Sequence, residues 1–237
     1  MTRIVIIAAM PGELRPLVRG WCHERRDGID LWRNQSTDLD CIAACAGAGF
    51  AAATRAFAEV EKLGPVDAVI SVGWVGALRL DLVSGQAYQV SSVLDARTGE
   101  RFFSANVPAD CLLVTATQVV NAAEKQRLAT TYKAHLVDME AAAVARLAQM
   151  RSIPFYCIKG ISDGYTDQLP DFNRFISRNG QFRTASFIVF AILRPWHWRA
   201  LARMGENSSK AARGIAVSLL DLLDEFKKTN GDSNHPR

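Results

Sequence analysis

Short apolar runs of strand length alternate with alanine-rich helical stretches along most of this chain, and that rhythm leaves few folds open. RIVIIAA at 3–9 comes first. The apolar DCIAACAGAG at 40–49 then leads into AAATRAFAEVEKLG at 51–64, a helical pattern stopped by a glycine. DAVISVG, QAYQVSSVLD and CLLVTAT read as strands, QVVNAAEKQRLATTY as a helix, AHLV as a strand, MEAAAVARLAQMR as a helix and PFYCIKGIS as a strand. Strands joined by crossover helices of this length predict an α/β fold: a single three-layer α/β/α domain around a central mixed, largely parallel sheet. From about residue 168 to near 228 the pattern is helical, with RPWHW at 194–198 as a break between C-terminal helices. The expected domain spans 1–228, and residues 229–237 are expected to form a polar, disordered tail.

At 237 residues and 49% hydrophobic content, the chain can bury one such core. Its net charge of +4 is too small to argue for nucleic acid without a localised basic patch. The five cysteines include no C-x-x-C pair with metal spacing, so reduced, mostly buried thiols of a cytoplasmic protein are expected; separately, neither metal nor organic cofactor is expected. The opening MTRIVIIAAM is apolar for too few residues to make a secretion signal, and no run approaches the ~20 apolar residues that span a bilayer.

A parallel sheet presents its ligand site at the carboxyl ends of its strands. Acids stand at three such ends: Glu13 after the first strand, Glu140 at the head of the helix after AHLV, and Asp163 at the end of FYCIKGIS. Burying carboxylates is costly, so their convergence on one rim needs a chemical reason. Each also has an ordinary reading, Glu13 and Glu140 as first-turn acids favoured by the helix dipole and Asp163 as an N-cap. Two glycine-rich turns, CAGAGFAAA and SVGWVGAL, place Gly47, Gly49, Gly73 and Gly76 where backbone can approach a ligand. Neither has the lysine of a Walker loop or a full G-x-G-x-x-G.

Taken in order, IIAAMPGEL, AGAGFAAA, VISVGWVGALRLDLVSGQAYQVSSVLD, VDMEAAAVARLA and PFYCIKGISD resemble the nucleoside phosphorylase and nucleosidase superfamily. The branch resembled is that of the methylthioadenosine/S-adenosylhomocysteine nucleosidases. The resemblance spans roughly residues 3–163, with VDMEAAA and ISD its most specific parts. A finer similarity, resting on a shortened middle and on LRPWHWRAL, is to the nucleosidases of hopanoid biosynthesis, which remove adenine from an adenosyl lipid such as adenosylhopane.

The resemblance implies a purine nucleosidase acting on a 5′-modified, small-molecule nucleoside, no nucleic-acid partner, and a homodimer. It implies that Asp163 is the general acid that protonates the departing purine at N7, oriented by Ser162. Glu140 accepts hydrogen bonds from the two ribose hydroxyls, with Met139 packed against the sugar. Glu13 polarises the attacking water and faces the cationic sugar of the transition state. Gly73 and Trp74 stand beside the ribose, and Val119 and Val120 beside the base. Asp138 occupies a position where the family commonly has an acid.

Three departures qualify this picture. Trp74, in GWVGA, replaces the serine of the family's G-S-A-G-G turn, which either crowds an anion or water site or gives it an aromatic wall. TATQVV puts Val119 and Val120 where the family offers an aromatic residue to stack on adenine. The segment between Asp95 and Cys111 is short, which opens the site on one side and places Phe102 and Phe103 near an apolar mouth suited to a long 5′ substituent, or else in the core. Phosphorylases hold phosphate with cations, and only Arg15 stands near Glu13, which favours water as the nucleophile. A phosphate-dependent phosphorylase and a non-catalytic nucleoside-binding protein remain the alternatives. SFIVFAILRPWHWRALARM joins an apolar run to Trp196, Trp198, Arg194, Arg199 and Arg203, which fits either a buried helix with a solvated basic end or peripheral contact with a membrane surface.

Overall fold

A computed structural model describes residues 1–105, 107, 110–168, 170–177 and 179–232. The first strand, β1 (Thr2–Ala8), pairs in parallel with β4 (Leu39–Cys45) and with β5 (Ala68–Ala77). Its side chains divide by parity, as a pleated strand requires: Val5 and Ile7 enter one apolar layer and Ile4, Ile6 and Ala8 the other. The first layer is covered by α2 (Phe50–Glu61) and α4 (Ala141–Met150), through Ala53, Phe57, Ala141 and Val144. The second is covered by α6 (Trp198–Asp232), through Ile215, Leu219 and Leu223, together with Leu14 of the short helix α1 (Pro11–Leu14). Each Ile, Val or Leu withdrawn from water in this way contributes about 1.5–3 kcal/mol. The small residues in MEAAAVARLA let α4 lie close to the sheet: Ala141, Ala142 and Ala143 are wholly buried.

Among the described residues the sheet has 11 strands, with parallel runs on either side of an antiparallel junction. β5 also pairs in parallel with β11 (Phe155–Asp163), and β9 (Leu112–Thr115) pairs in parallel with β10 (Leu136–Asp138) and β7 (Ser92–Asp95). Antiparallel pairs close the edges and join β5 to β10. The expected fold class holds, with three corrections. QAYQVSSVLD is two strands, β6 (Ala87–Gln89) and β7, that pair with different partners. The described residues of 168–183 are mostly irregular rather than helical, because Pro170 and Gly180 interrupt the pattern; among them are a 3-10 turn, Phe172–Phe175, and a bridge from Ile176 to Phe182. Helix α5 (Thr184–Ile192) follows, then the expected break at Pro195–His197, then α6. α6 runs four residues into the tail expected to be irregular; 233–237 lie outside the described residues. Cys41, Cys45, Cys111 and Cys157 are buried as expected, whereas Cys22 is exposed on β2 (Cys22–Arg26).

Candidate active site

A cavity of about 310 Å³ opens at the carboxyl ends of β1, β5, β10 and β11, where Glu13, Asp138, Glu140 and Asp163 all face it. Of the residues singled out from sequence, Ser162, Met139, Val119, Val120 and Trp74 also line it, and Gly73 does not. Gly73 lies behind the acid: a Cβ there would come within 3.1 Å of Glu13 Oε1.

Glu13 is fixed by main chain. Ala9 and Met10 N–H groups donate to its Oε2, each at 2.8 Å, and the Trp74 N–H donates to Oε1 at 2.8 Å. A carboxylate has about four lone-pair sites, so these bonds leave one for a water in the cavity. Burial raises the Glu13 pKa above the ordinary carboxyl range, against the opposing pull of those N–H groups and of Lys159. Trp74 does not lie across this acid. Its indole N–H donates to the Ser208 carbonyl of α6 at 2.9 Å, and the ring covers Gly12 so closely that a Cβ there would sit 2.7 Å from it. The indole is therefore a wall of the cavity.

Glu140 stands at the N-cap of α4 and reaches across to the glycine turn, accepting from the Gly49 N–H at 2.6 Å. Gly49 has φ +93°, in the left-handed region open to glycine, and this aims its N–H at the acid. Burial, then the nearby charge of Asp138, pushes the Glu140 pKa up to about 8. Asp138 is more than a helix-start acid. It accepts from the Ala141 N–H at 2.9 Å and from Thr115 Oγ1 at 2.7 Å, and it pairs with Lys159 at 3.0 Å. Lys159 also donates to Ser71 Oγ at 3.0 Å and is 1% exposed. Burial opposes its charge, but Asp138, Cys157 and Glu140 outweigh that and hold its pKa above the ordinary lysine value. One buried cation thus offsets the acids beneath the site.

Asp163 enters the cavity through an irregularity in β11. Ile161 faces Val75 and Asp163 faces Gly76, so two residues oppose one and the bulge turns the carboxylate inward. Ser162 Oγ donates to Asp163 Oδ1 at 2.7 Å. Lys125 of α3 (Ala122–Tyr132), 2% exposed, donates to Oδ2 and also to the Gly164 carbonyl at 2.7 Å. Reading the sequence alone does not single out Lys125 or Lys159. A lysine inside the apolar FYCIKGIS is a signal for a paired, buried cation, whereas Lys125 in NAAEKQRL looks like any solvated helix residue.

The apolar mouth is not formed by Phe102 and Phe103; the core alternative holds for Phe102 and not for Phe103. Phe102 is buried under the Arg146 guanidinium, 5.6 Å from the ring, and Phe103 is exposed; both lie away from this cavity, around a separate one. The apolar wall comes instead from Phe172, Ile176, Phe182, Phe187 and Met204. The Asn173 side chain accepts from the Val119 N–H at 2.8 Å and donates to the Val119 carbonyl at 2.9 Å, so a base can use that N–H only by displacing Asn173, while the carbonyl keeps one lone pair. Arg15 is exposed, which leaves Lys125 as the only cation among the described residues lining the cavity.

Residues 98–192 match the sequence model of the Phosphorylase superfamily. Among curated proteins, sequence comparison finds no match. Similar solved structures include Arabidopsis thaliana 5′-methylthioadenosine nucleosidase, 19% identical with a TM-score of 0.70 over 94% of this chain and 96% of that one. Helicobacter pylori 5′-methylthioadenosine/S-adenosylhomocysteine nucleosidase is 17% identical with a TM-score of 0.71, covering 94% and 98%. Helicobacter pylori futalosine hydrolase is 17% identical with a TM-score of 0.70, covering 94% and 98%.

Proposed function

We propose, for a chain that carries the nucleoside phosphorylase and nucleosidase fold, that it hydrolyses the N-glycosidic bond of a 5′-modified nucleoside and releases a purine, adenine in our reading. The observation that carries this is the meeting of Glu13, Glu140 and Asp163 around one cavity at the strand ends. Cleavage leaves negative charge on the purine and positive charge on the sugar. Asp163, oriented by Ser162, donates the proton to the purine; Glu140 accepts from the ribose hydroxyls, with Met139 against the sugar; Glu13 takes the proton of the attacking water. Water is favoured over phosphate because Lys125 is already bonded to Asp163 and no other cation among the described residues lines the cavity.

The finer part of the proposal is an apolar 5′ substituent, as in an adenosyl lipid. Phe172, Phe182, Phe187 and Met204 supply the wall against which it would lie. That wall continues into α5, which buries none of its residues, and into Trp196 and Trp198, 71% and 54% exposed. Arg194 lies over the Phe190 ring, 4.2 Å from its centroid, and Arg183, Arg199 and Arg203 are exposed and near these residues in sequence, a composition suited to an anionic lipid surface. A second copy of the chain is the other candidate to cover α5. Among the described residues no helix is long and apolar enough to cross a membrane, so the contact would be peripheral.

A series of 5′-alkylthio adenosines tests this, with and without anionic vesicles. If the wall binds the chain, kcat/KM rises by about fourfold per added methylene over the first few, at ~0.8 kcal/mol each. The slope should flatten in Phe187→Ala, and the protein should sediment with the vesicles. A flat series would remove the apolar substituent, and dimers without vesicle binding would assign α5 to a second copy.

A further inference from the structure

We infer that Lys125 is a positioning residue that resupplies the proton Asp163 delivers to the purine; this rests on the hydrolase reading above. Three observations converge on it. Lys125 is almost wholly buried, its Nζ bonds to Asp163 Oδ2 and the Gly164 carbonyl, and the pair is tightly seated. A Cβ on Gly76 would lie 3.0 Å from Asp163 Oδ2 and 3.1 Å from Lys125 Cε, so a larger residue there would push both apart. With Ser162 on Oδ1, each carboxylate oxygen already has a donor. A general acid needs a proton to give, and here the group beside the acid carries three. Finally, Lys125 and Asp163 form part of the wall between the site and a second, polar cavity of about 900 Å³.

The charged groups around the pair leave Lys125 as the donor. On the polar side stand Glu124 and Arg127, bonded to each other, and Asp167 and Asp171. On the site side stand Glu13, Asp138 and Glu140, with Lys159 engaged by Asp138. As the bond from sugar C1′ to the purine breaks, its electron pair stays on the purine. A proton moves from Lys125 Nζ to Asp163 Oδ2 and on to the purine nitrogen, leaving a neutral amine beside a carboxylate. Water attacks C1′ and gives its proton to Glu13. Water in the polar cavity then returns a proton to Lys125, and Glu13 releases its own to solvent with the products.

The pH profile of kcat tests the relay, because anchoring alone would give a constant loss. In Lys125→Met, Asp163 has no neighbouring donor and must take its proton from solvent, so the loss should grow as pH rises and solvent acid becomes scarce. Lys125→Met should be within about threefold of wild type at pH 5 and at least about thirtyfold slower at pH 8.5, with KM little changed. Lys125→Arg keeps the charge and the hydrogen bonds but cannot release a proton. It should show the same alkaline loss, which also keeps the test decisive if the methionine variant does not fold. A pH-independent loss in Lys125→Met, or full activity of Lys125→Arg at pH 8.5, would overturn the relay. Absence of base release by wild type at every pH would overturn the hydrolase reading instead.

Discussion

Asp163→Asn should lower kcat by at least about 10²-fold at every pH while leaving the fold intact. The substitution is nearly isosteric. Ser162 Oγ can still donate to the retained oxygen, and the bulge that turns residue 163 into the cavity is set by pairing with Val75 and Gly76 rather than by the side-chain charge. With that oxygen held by Ser162, the amide NH2 stands where Oδ2 was, so Lys125 loses this acceptor and keeps the Gly164 carbonyl. What disappears is the acidic proton for the departing purine. KM should change little, because the ribose contacts assigned to Glu140 and Met139 are untouched. A folded Asp163→Asn protein with near wild-type turnover would remove Asp163 as the acid.

Glu140→Gln should move activity and stability in opposite directions. Above pH 8, where Glu140 is ionised, losing a charged acceptor for two ribose hydroxyls should reduce kcat/KM by about 10- to 100-fold. Stability should rise, and the sign follows from the titration. The folded-state pKa of Glu140 is about 8 against an ordinary 4.5, so the folded protein favours the protonated form. The cost of keeping its charge buried is absent below pH 4.5 and grows as pH rises towards 8. Glutamine carries no such charge. The Tm advantage of Glu140→Gln over wild type should therefore be small near pH 5 and larger near pH 8. An activity loss with no Tm advantage at pH 8 would show that Lys159 already neutralises the charge of Glu140. A change in stability alone would return Glu140 to the role of a helix-start residue.

The central sheet and its helices were legible because each carries its own periodicity. The burial of Ile4 to Ile7 on alternating faces, and of the alanines in MEAAAVARLA, follows from residue spacing alone. The hairpin of β2 with β3 (Ile29–Gln35) was less so. CHERR is exposed throughout and shows no alternation, yet the Asp27-Gly28 turn, with φ of 47° and 78°, is a strong hairpin signal. For residues 168–183, phenylalanines spaced as on a helix are drawn instead into an aromatic cluster, with Phe182 and Phe187 centroids 5.4 Å apart. The three site acids could be found from their place at strand ends. Of their cations, Lys159 leaves a signal in the apolar FYCIKGIS, whereas Lys125 leaves none, because what buries it is the approach of a segment 38 residues away in sequence.

The account stands most directly on one measurement: the products formed by wild-type protein from a 5′-alkylthio adenosine, with and without inorganic phosphate. Hydrolysis predicts free adenine and the free 5′-substituted ribose in equal amounts, at a rate unchanged by phosphate. Turnover that requires phosphate and yields a ribose 1-phosphate would contradict water as the nucleophile, and tight nucleoside binding without release of base would contradict catalysis altogether.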